Sequence, residues 1–168
     1  MKTKKRVFKL FLAWQDNGEE IWLKEMAKKG WALESYKFLY TFKKIEPASY
    51  TYRLDYKSTS DVDLNEYKMF FEDTGWEYVT RFGNWHYFRT TATEEHASEI
   101  YTETEYQIEK YNGLLKNLLT VLLMLIALAI SMVFLQRSII LDLYFAGLIA
   151  LLLLCVFKVK HKVYKLRN

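Results

Sequence analysis

His86 sits in the aromatic run Trp85-His86-Tyr87-Phe88, and an ordinary imidazole titrates close to neutral pH, so it is the side chain best suited to take up a proton. Asp55, within Arg53-Leu54-Asp55, and the adjacent pair Glu72-Asp73 are the carboxylates that would orient such a base if folding brought them together. The local pattern supplies His86 with no catalytic partner, and a strand position at the edge of the core explains it as well. Arg53 and Asp55 stand two residues apart, hence on one face of an extended strand, where they form a charged surface feature. Gly83-Asn84 has the composition of a hairpin turn, whose exposed tip can also touch a partner. Arg53, Asp55, Gly83, Asn84, Trp85 and His86 are therefore the expected interaction surface, with noncovalent recognition as its chemistry.

Other chemistries find less support. His96 and His161 do not join His86 at metal-ligand spacing, and the single cysteine, Cys155, rules out an internal disulfide and a paired-cysteine metal site. There is no Walker phosphate loop, dinucleotide glycine turn, zincin helix or serine-hydrolase elbow. No catalytic residue, cofactor or metal is expected, and a ligand-processing enzyme has no positive warrant.

The elements that must carry the surface read from the start of the chain. Arg6 to Trp14 predicts a strand, Asn17-Gly18 a break, and Glu19 to Lys29 a helix with Ile21, Trp22 and Met26 inward. Gly30 is the expected carboxyl cap. Trp31–Phe38, Tyr40–Lys44 and Tyr50–Tyr56 predict strands, with Pro47 between the last two. Ser60 or Asp61 can cap a helix reaching about Thr74, Gly75 stops it, and Trp76–Phe82 and Trp85–Arg89 form a hairpin.

This order repeats. Met26-Ala27-Lys28-Lys29-Gly30-Trp31 aligns with Phe71-Glu72-Asp73-Thr74-Gly75-Trp76, and the same offset matches Tyr40 to Trp85 and Phe42 to Tyr87. Each half reads strand, helix, strand, strand, and two such units can bury a core that neither forms alone. The expected fold is an α+β domain over residues 1–92, with one mainly antiparallel sheet covered by two helices. Trp22, Trp31, Trp76, Trp85, Tyr52 and Phe70 would fill its core, with a groove for a peptide or hydrophobic ligand as the competing use.

The stretches WLKEMAKKGWAL (Trp22 to Leu33), YTYRLDY (Tyr50 to Tyr56) and FFEDTGWEYVTRFGNWHYFR (Phe70 to Arg89) resemble the bacterial DUF2812 family over most of residues 5 to 90. The resemblance implies a soluble module commonly joined to membrane segments, with some members associated with transcriptional-regulatory neighbourhoods. It implies no catalytic residue, substrate or cofactor.

Beyond this domain the composition changes. Residues 93–116 form a linker, acidic at first and with helical spacing at Tyr101, Thr104, Ile108, Tyr111 and Leu115. Leu118 to Leu135 carries no charge, and Ile139 to Phe157 is interrupted only by Asp142, so 117–136 and 139–157 predict two membrane-spanning helices. The short connection Gln136-Arg137-Ser138 makes them an antiparallel hairpin, with Asp142 in the outer headgroup zone. Before Asn117 there are 18 Lys or Arg against 19 Asp or Glu, whereas the tail, 158–168, concentrates Lys158, Lys160, Lys162, Lys165 and Arg167. The positive-inside rule then places the tail, and with it the amino-terminal domain, in the cytoplasm of a multi-pass cell-membrane protein. Lys110 and Lys116 agree with this orientation and Arg137 opposes it.

The region before Asn117 is close to neutral and shows no recognisable reading helix, so direct nucleic-acid binding is not expected. The expected partners are the lipid bilayer and a protein, with self-association open. The leading function is a membrane-anchored cytoplasmic interaction or regulatory module that binds a protein or small ligand. The alternatives are an accessory subunit of a membrane transporter or complex and, less favoured, a membrane-bound enzyme.

Overall fold

Helical stripes and strand alternation sort the first of two compact units, Met1–Lys110, into two copies of one plan. The computed structural model describes residues 3–60, 63–91, 104–134 and 139–168. The first copy comprises β1 (Lys4–Val7), α1 (Asp16–Lys28), β2 (Trp31–Lys37) and β3 (Leu39–Lys44). The second comprises β4 (Thr51–Tyr56), α2 (Asp63–Glu72), β5 (Glu77–Phe82) and β6 (Trp85–Thr90). The α+β class and the duplicated unit hold.

The expected single sheet is instead two antiparallel three-stranded sheets, ordered β1-β3-β2 and β4-β6-β5. Replacing each strand of the first by its counterpart in the second reproduces the second order. β2 and β5 lie side by side without a backbone ladder, and side chains from β4 and β6 tie β2 to the second half. The Leu33 amide donates to the Tyr52 hydroxyl at 3.2 Å, and the Leu33 carbonyl accepts from Arg89 Nη1 at 3.2 Å. Both backbone polar groups of Leu33 are thereby used by the second half. Arg89 is fixed in turn by its ion pair with Glu77.

The repeat extends to backbone irregularities. Each central hairpin carries one extra residue, Glu34 in β2 and Val79 in β5, at equivalent positions. Gly30 and Gly75 have φ of 79° and 81°. A Cβ on Gly30 would come within 2.9 Å of the Ile45 carbonyl oxygen, so space and backbone conformation both demand glycine there. The hairpin tips have φ of 62° at Phe38 and 58° at Gly83.

Two hydrophobic clusters fill the unit. Leu23, Met26 and Ala27 of α1 pack with Leu33, Tyr40, Phe42, Tyr52, Leu54 and Tyr87, while Tyr67 and Phe71 of α2 pack with Trp76 and Phe88. Of the aromatics expected inside, Tyr52 and Trp76 are buried, and Trp22, Trp31 and Trp85 are half-buried against the first cluster. Phe70 is 55% exposed; its neighbour Phe71 occupies the core and stacks on Phe88 at 4.0 Å. Similarly Ile21, expected inward, is 63% exposed, because α1 begins at Asp16 and presents Leu23, Met26 and Ala27 to the sheet. β1 ends at Val7, short of the expected Trp14, and Phe8 and Leu10 beyond it are exposed. Ser60 caps α2: its Oγ accepts from the Asp63 amide at 3.2 Å and donates to Asp63 Oδ2 at 2.5 Å. Asp61, the other expected cap, lies outside the described residues.

The second unit is Tyr111–Asn168. Its helices are α3 (Thr104–Phe134), whose first two turns belong to the first unit, and α4 (Ile139–Arg167). Helix formation is therefore continuous from the end of the linker into the first apolar run. Both helices are long and apolar enough to cross a membrane. Several of their leucines, including Leu123, Leu143 and Leu153, are exposed. Tyr111 of α3 lies under Lys162 Nζ of α4, 4.6 Å from the ring centroid. Asp142 falls in the first turn of α4 and is exposed, where a carboxylate complements the positive end of the helix. Linker positions 93–103 and turn positions 135–138, including Arg137, lie outside the described residues.

Candidate functional site

Acidic residues at the start of a helix ordinarily face water and complement its dipole. On α1 they do the opposite. Asp16, Glu19 and Glu20 extend the stripe of Leu23, Met26 and Ala27 by one helical turn, and all three are buried. Charge can be held there only if each carboxylate finds hydrogen bonds or a cation.

Each finds a different solution. Asp16 accepts from Lys110 Nζ at 2.9 Å, and the same ammonium donates to the Leu54 carbonyl at 3.2 Å. Glu20 accepts from the Leu54 amide at 2.7 Å and pairs with Arg53 at 3.1 Å. Glu19, 6% exposed, receives two hydroxyls on the same oxygen: Tyr40 from β3 and Tyr87 from β6 each donate to Oε1 at 2.7 Å. Burial raises the Glu19 pKa against the lowering effect of these hydroxyls, with Asp16 adding repulsion. Glu20 is also raised by burial, despite Lys110 and Arg53. The Tyr40 and Tyr87 hydroxyls are pushed upward by burial and the facing carboxylate, so they remain donors.

Glu19 and Asp16 line a cavity of about 170 Å³. Its walls come from both halves of the unit: Tyr36 and Tyr40 near the first hairpin tip, Phe82 and Trp85 flanking the second, and Tyr87 beneath. Phe11 and Leu12, from the segment after β1, close one side. Tyr36 stacks on Tyr40 at 4.2 Å and meets Phe82 at 4.8 Å, so the walls brace one another.

A second polar cluster surrounds His86. Asp55 faces it directly across the β4–β6 ladder, but Asp55 Oδ2 accepts from Tyr67 and from Tyr106, the latter at 2.8 Å. His86 Nε2 lies 3.1 Å from the Lys57 carbonyl and 3.3 Å from Thr59 Oγ1. The carbonyl assigns the proton to Nε2 and leaves Nδ1 as an acceptor with no donor among the described residues. Burial lowers the His86 pKa, favouring the neutral ring. Lys57, Thr59, Tyr67 and Tyr106 also border a wider cleft of about 400 Å³, but His86 does not line it.

The six residues expected on one surface thus separate. Asp55 and His86 are interior, because Tyr67 and the first turns of α3 cover them. Arg53 is committed to Glu20, and Asn84 Nδ2 reaches the Tyr56 hydroxyl at 3.4 Å. Gly83 is exposed at its tip, and Trp85 alone of the six lines the aromatic cavity. Glu72 and Asp73 are exposed, away from the sealed imidazole. His161 lies on α4, and His96 lies outside the described residues. Among the described residues no group of three His, Cys, Asp or Glu is placed to hold a metal.

Sequence reasoning missed Glu19, Asp16, Tyr36, Tyr40 and Tyr87. The available signal was positional: acids at 16, 19 and 20 continue the apolar spacing of 23, 26 and 27 on one helical face.

One protein family, described as a protein of unknown function (DUF2812), matches residues 15–123. A search of curated proteins and of solved structures returns no match.

Proposed function

The chain belongs to the DUF2812 family, and on that footing we propose that it is a membrane-anchored binding module with a regulatory role. In this reading the cytoplasmic α+β unit takes up a small ligand or a protein segment, and the helical pair keeps that event at the membrane. The observation that carries it is the cavity whose aromatic walls come from both halves around the buried Glu19 carboxylate. A core needs neither a void nor a buried acid, and both cost stability. The five basic residues from Lys158 to Arg167 support the cytoplasmic orientation of the unit.

The test is purification from native membranes in mild detergent, with bound proteins and small molecules identified by mass spectrometry. The full chain is compared with a version lacking residues 1–92. A protein or metabolite retained only by the full chain is the expected result. The same set retained by both versions would move binding into the apolar helices and favour the accessory-subunit reading, which their exposed leucines support.

A further inference from the structure

We propose that the aromatic cavity is a site for a small alkylammonium cation, a methylated amine or quaternary ammonium group, held by Glu19 and faced by Tyr36, Tyr40, Phe82, Trp85 and Tyr87. The assignment rests on the binding-module reading and names the ligand class.

Three observations converge on it. The first is charge. Asp16 and Glu20 each have a cationic partner, Lys110 and Arg53, whereas Glu19 has hydrogen bonds only from two neutral hydroxyls. Both hydroxyls go to Oε1. Oε2 receives no hydrogen bond from any described residue, yet it is not a sealed unsatisfied atom, so it remains open on a side chain that lines the cavity. The second is wall chemistry. Aromatic faces carry negative charge density and attract cations within about 6 Å, and aromatic cages of this composition favour quaternary ammonium groups over strongly hydrated ions. The protein already uses such contacts outside the cavity, where Lys9 Nζ stands 4.6 Å from the Trp22 ring centroid. The third is size. At about 170 Å³ the cavity is smaller than the roughly 300–1,000 Å³ of pockets for drug-sized ligands, and it suits one compact head group.

The wider cleft beside Tyr67 and Tyr106 presents Lys57 together with Asp63 and Glu66, and so does not select one sign of charge. Sodium or potassium would draw on oxygens alone, whereas this lining sets aromatic rings beside the Glu19 carboxylate, the combination that suits a weakly hydrated cation. Guanidinium is the remaining competitor, and the test includes it.

The experiment is calorimetric titration of the full chain in an uncharged sugar detergent. The probes are choline, tetramethylammonium, guanidinium and 3,3-dimethylbutan-1-ol, the uncharged isostere of choline. Saturable binding of choline or tetramethylammonium, at least about tenfold tighter than the neutral isostere, is expected. Glu19→Gln keeps an oxygen for both tyrosine hydroxyls and should weaken the cation by at least about tenfold while leaving the isostere unchanged. Equal binding of choline and its isostere would overturn the proposal, as would preference for guanidinium or no saturable heat from either ammonium probe. The wild-type comparison needs no variant to fold. Short-chain phosphatidylcholine, added as a further arm, separates a lipid head group from a free amine: competition with choline indicates access by the lipid, and its absence indicates the soluble ion. Failure of every ammonium probe while membranes still yield a partner specific to the full chain would remove the cation and leave the binding-module reading standing.

Discussion

The two halves of the first unit share strand order, hairpin bulges and positive-φ turns, yet their helices face the core with opposite chemistry. α1 turns Asp16, Glu19 and Glu20 inward beside Leu23, Met26 and Ala27, whereas the buried residues of α2 are Tyr67 and Phe71. At the repeat offset Glu19 corresponds to Leu64, Trp22 to Tyr67 and Met26 to Phe71. Leu64 simply packs against the second cluster. One copy of the plan is therefore spent on a close-packed aromatic core, and the other keeps carboxylates next to a void. Identical topology does not dictate what a helix face is for; a few substitutions on that face do.

The aromatic half should be the less forgiving under truncation. Phe71→Ala, which removes the ring stacked on Phe88, should cost about 3–5 kcal/mol in urea unfolding followed by tryptophan fluorescence. Phe70→Ala next to it should stay within about 0.5 kcal/mol, because that ring is largely in solvent. Equal effects would erase the distinction between these two ring positions.

In the acidic half the sensitive element is the pair between Asp16 and Lys110. Lys110→Met removes the paired cation from a carboxylate that is 1% exposed and should cost about 3 kcal/mol, with most of the loss recovered in the double variant with Asp16→Asn. Simple additivity in that double-mutant cycle would mean the two groups do not interact.

Glu19→Gln probes the acidic half through pH. The raised pKa values of Glu19 and Glu20 mean the native state holds their protons more tightly than the unfolded chain does. Their contribution is fully present below the ordinary 4.5 and is lost as pH rises through the folded values. His86 works the other way: its lowered pKa gives stability that is present above the ordinary 6.5 and is lost as pH falls from there through the folded value. Glu19→Gln should therefore raise the unfolding midpoint at neutral pH and match wild type below 4.5. A variant destabilised at both pH values would show that the carboxylate is structural. A modest effect is expected at the second hairpin tip. Gly83→Ala should cost about 1 kcal/mol, since Phe38 already occupies the matching left-handed position in the first half.

Much of this architecture was legible before any coordinates. The offset between Gly30-Trp31 and Gly75-Trp76 disclosed the duplication, and the uncharged runs disclosed both long apolar helices. Periodicity was less informative about α1, because Ile21 and Trp22 outrank Leu23 and Ala27 in apolar size while the packing face is set by where the sheet lies. The division into two sheets was hidden for a similar reason: whether β2 meets the second half through backbone pairing or through Tyr52 and Arg89 depends on contacts distant in sequence. The site was the least legible part. Glu19 looks like a solvated first-turn acid until Tyr40 and Tyr87, 21 and 68 residues away, are folded onto it. His86 and Asp55 were recognised as chemically able residues, but sequence alone could not show that the tyrosines would claim the aspartate.

The paired bulges at Glu34 and Val79 are the pattern that a tandem copy of one half would leave. An extra residue in a strand turns every side chain beyond it to the opposite face unless the whole hairpin accommodates it. Two independent insertions at the same point of two separate hairpins would each have had to survive that disruption. A single ancestral half that already possessed the insertion, copied once in tandem, accounts for both. On this genealogy the bulge is older than the duplication, and the divergence of the two helix faces is younger than either.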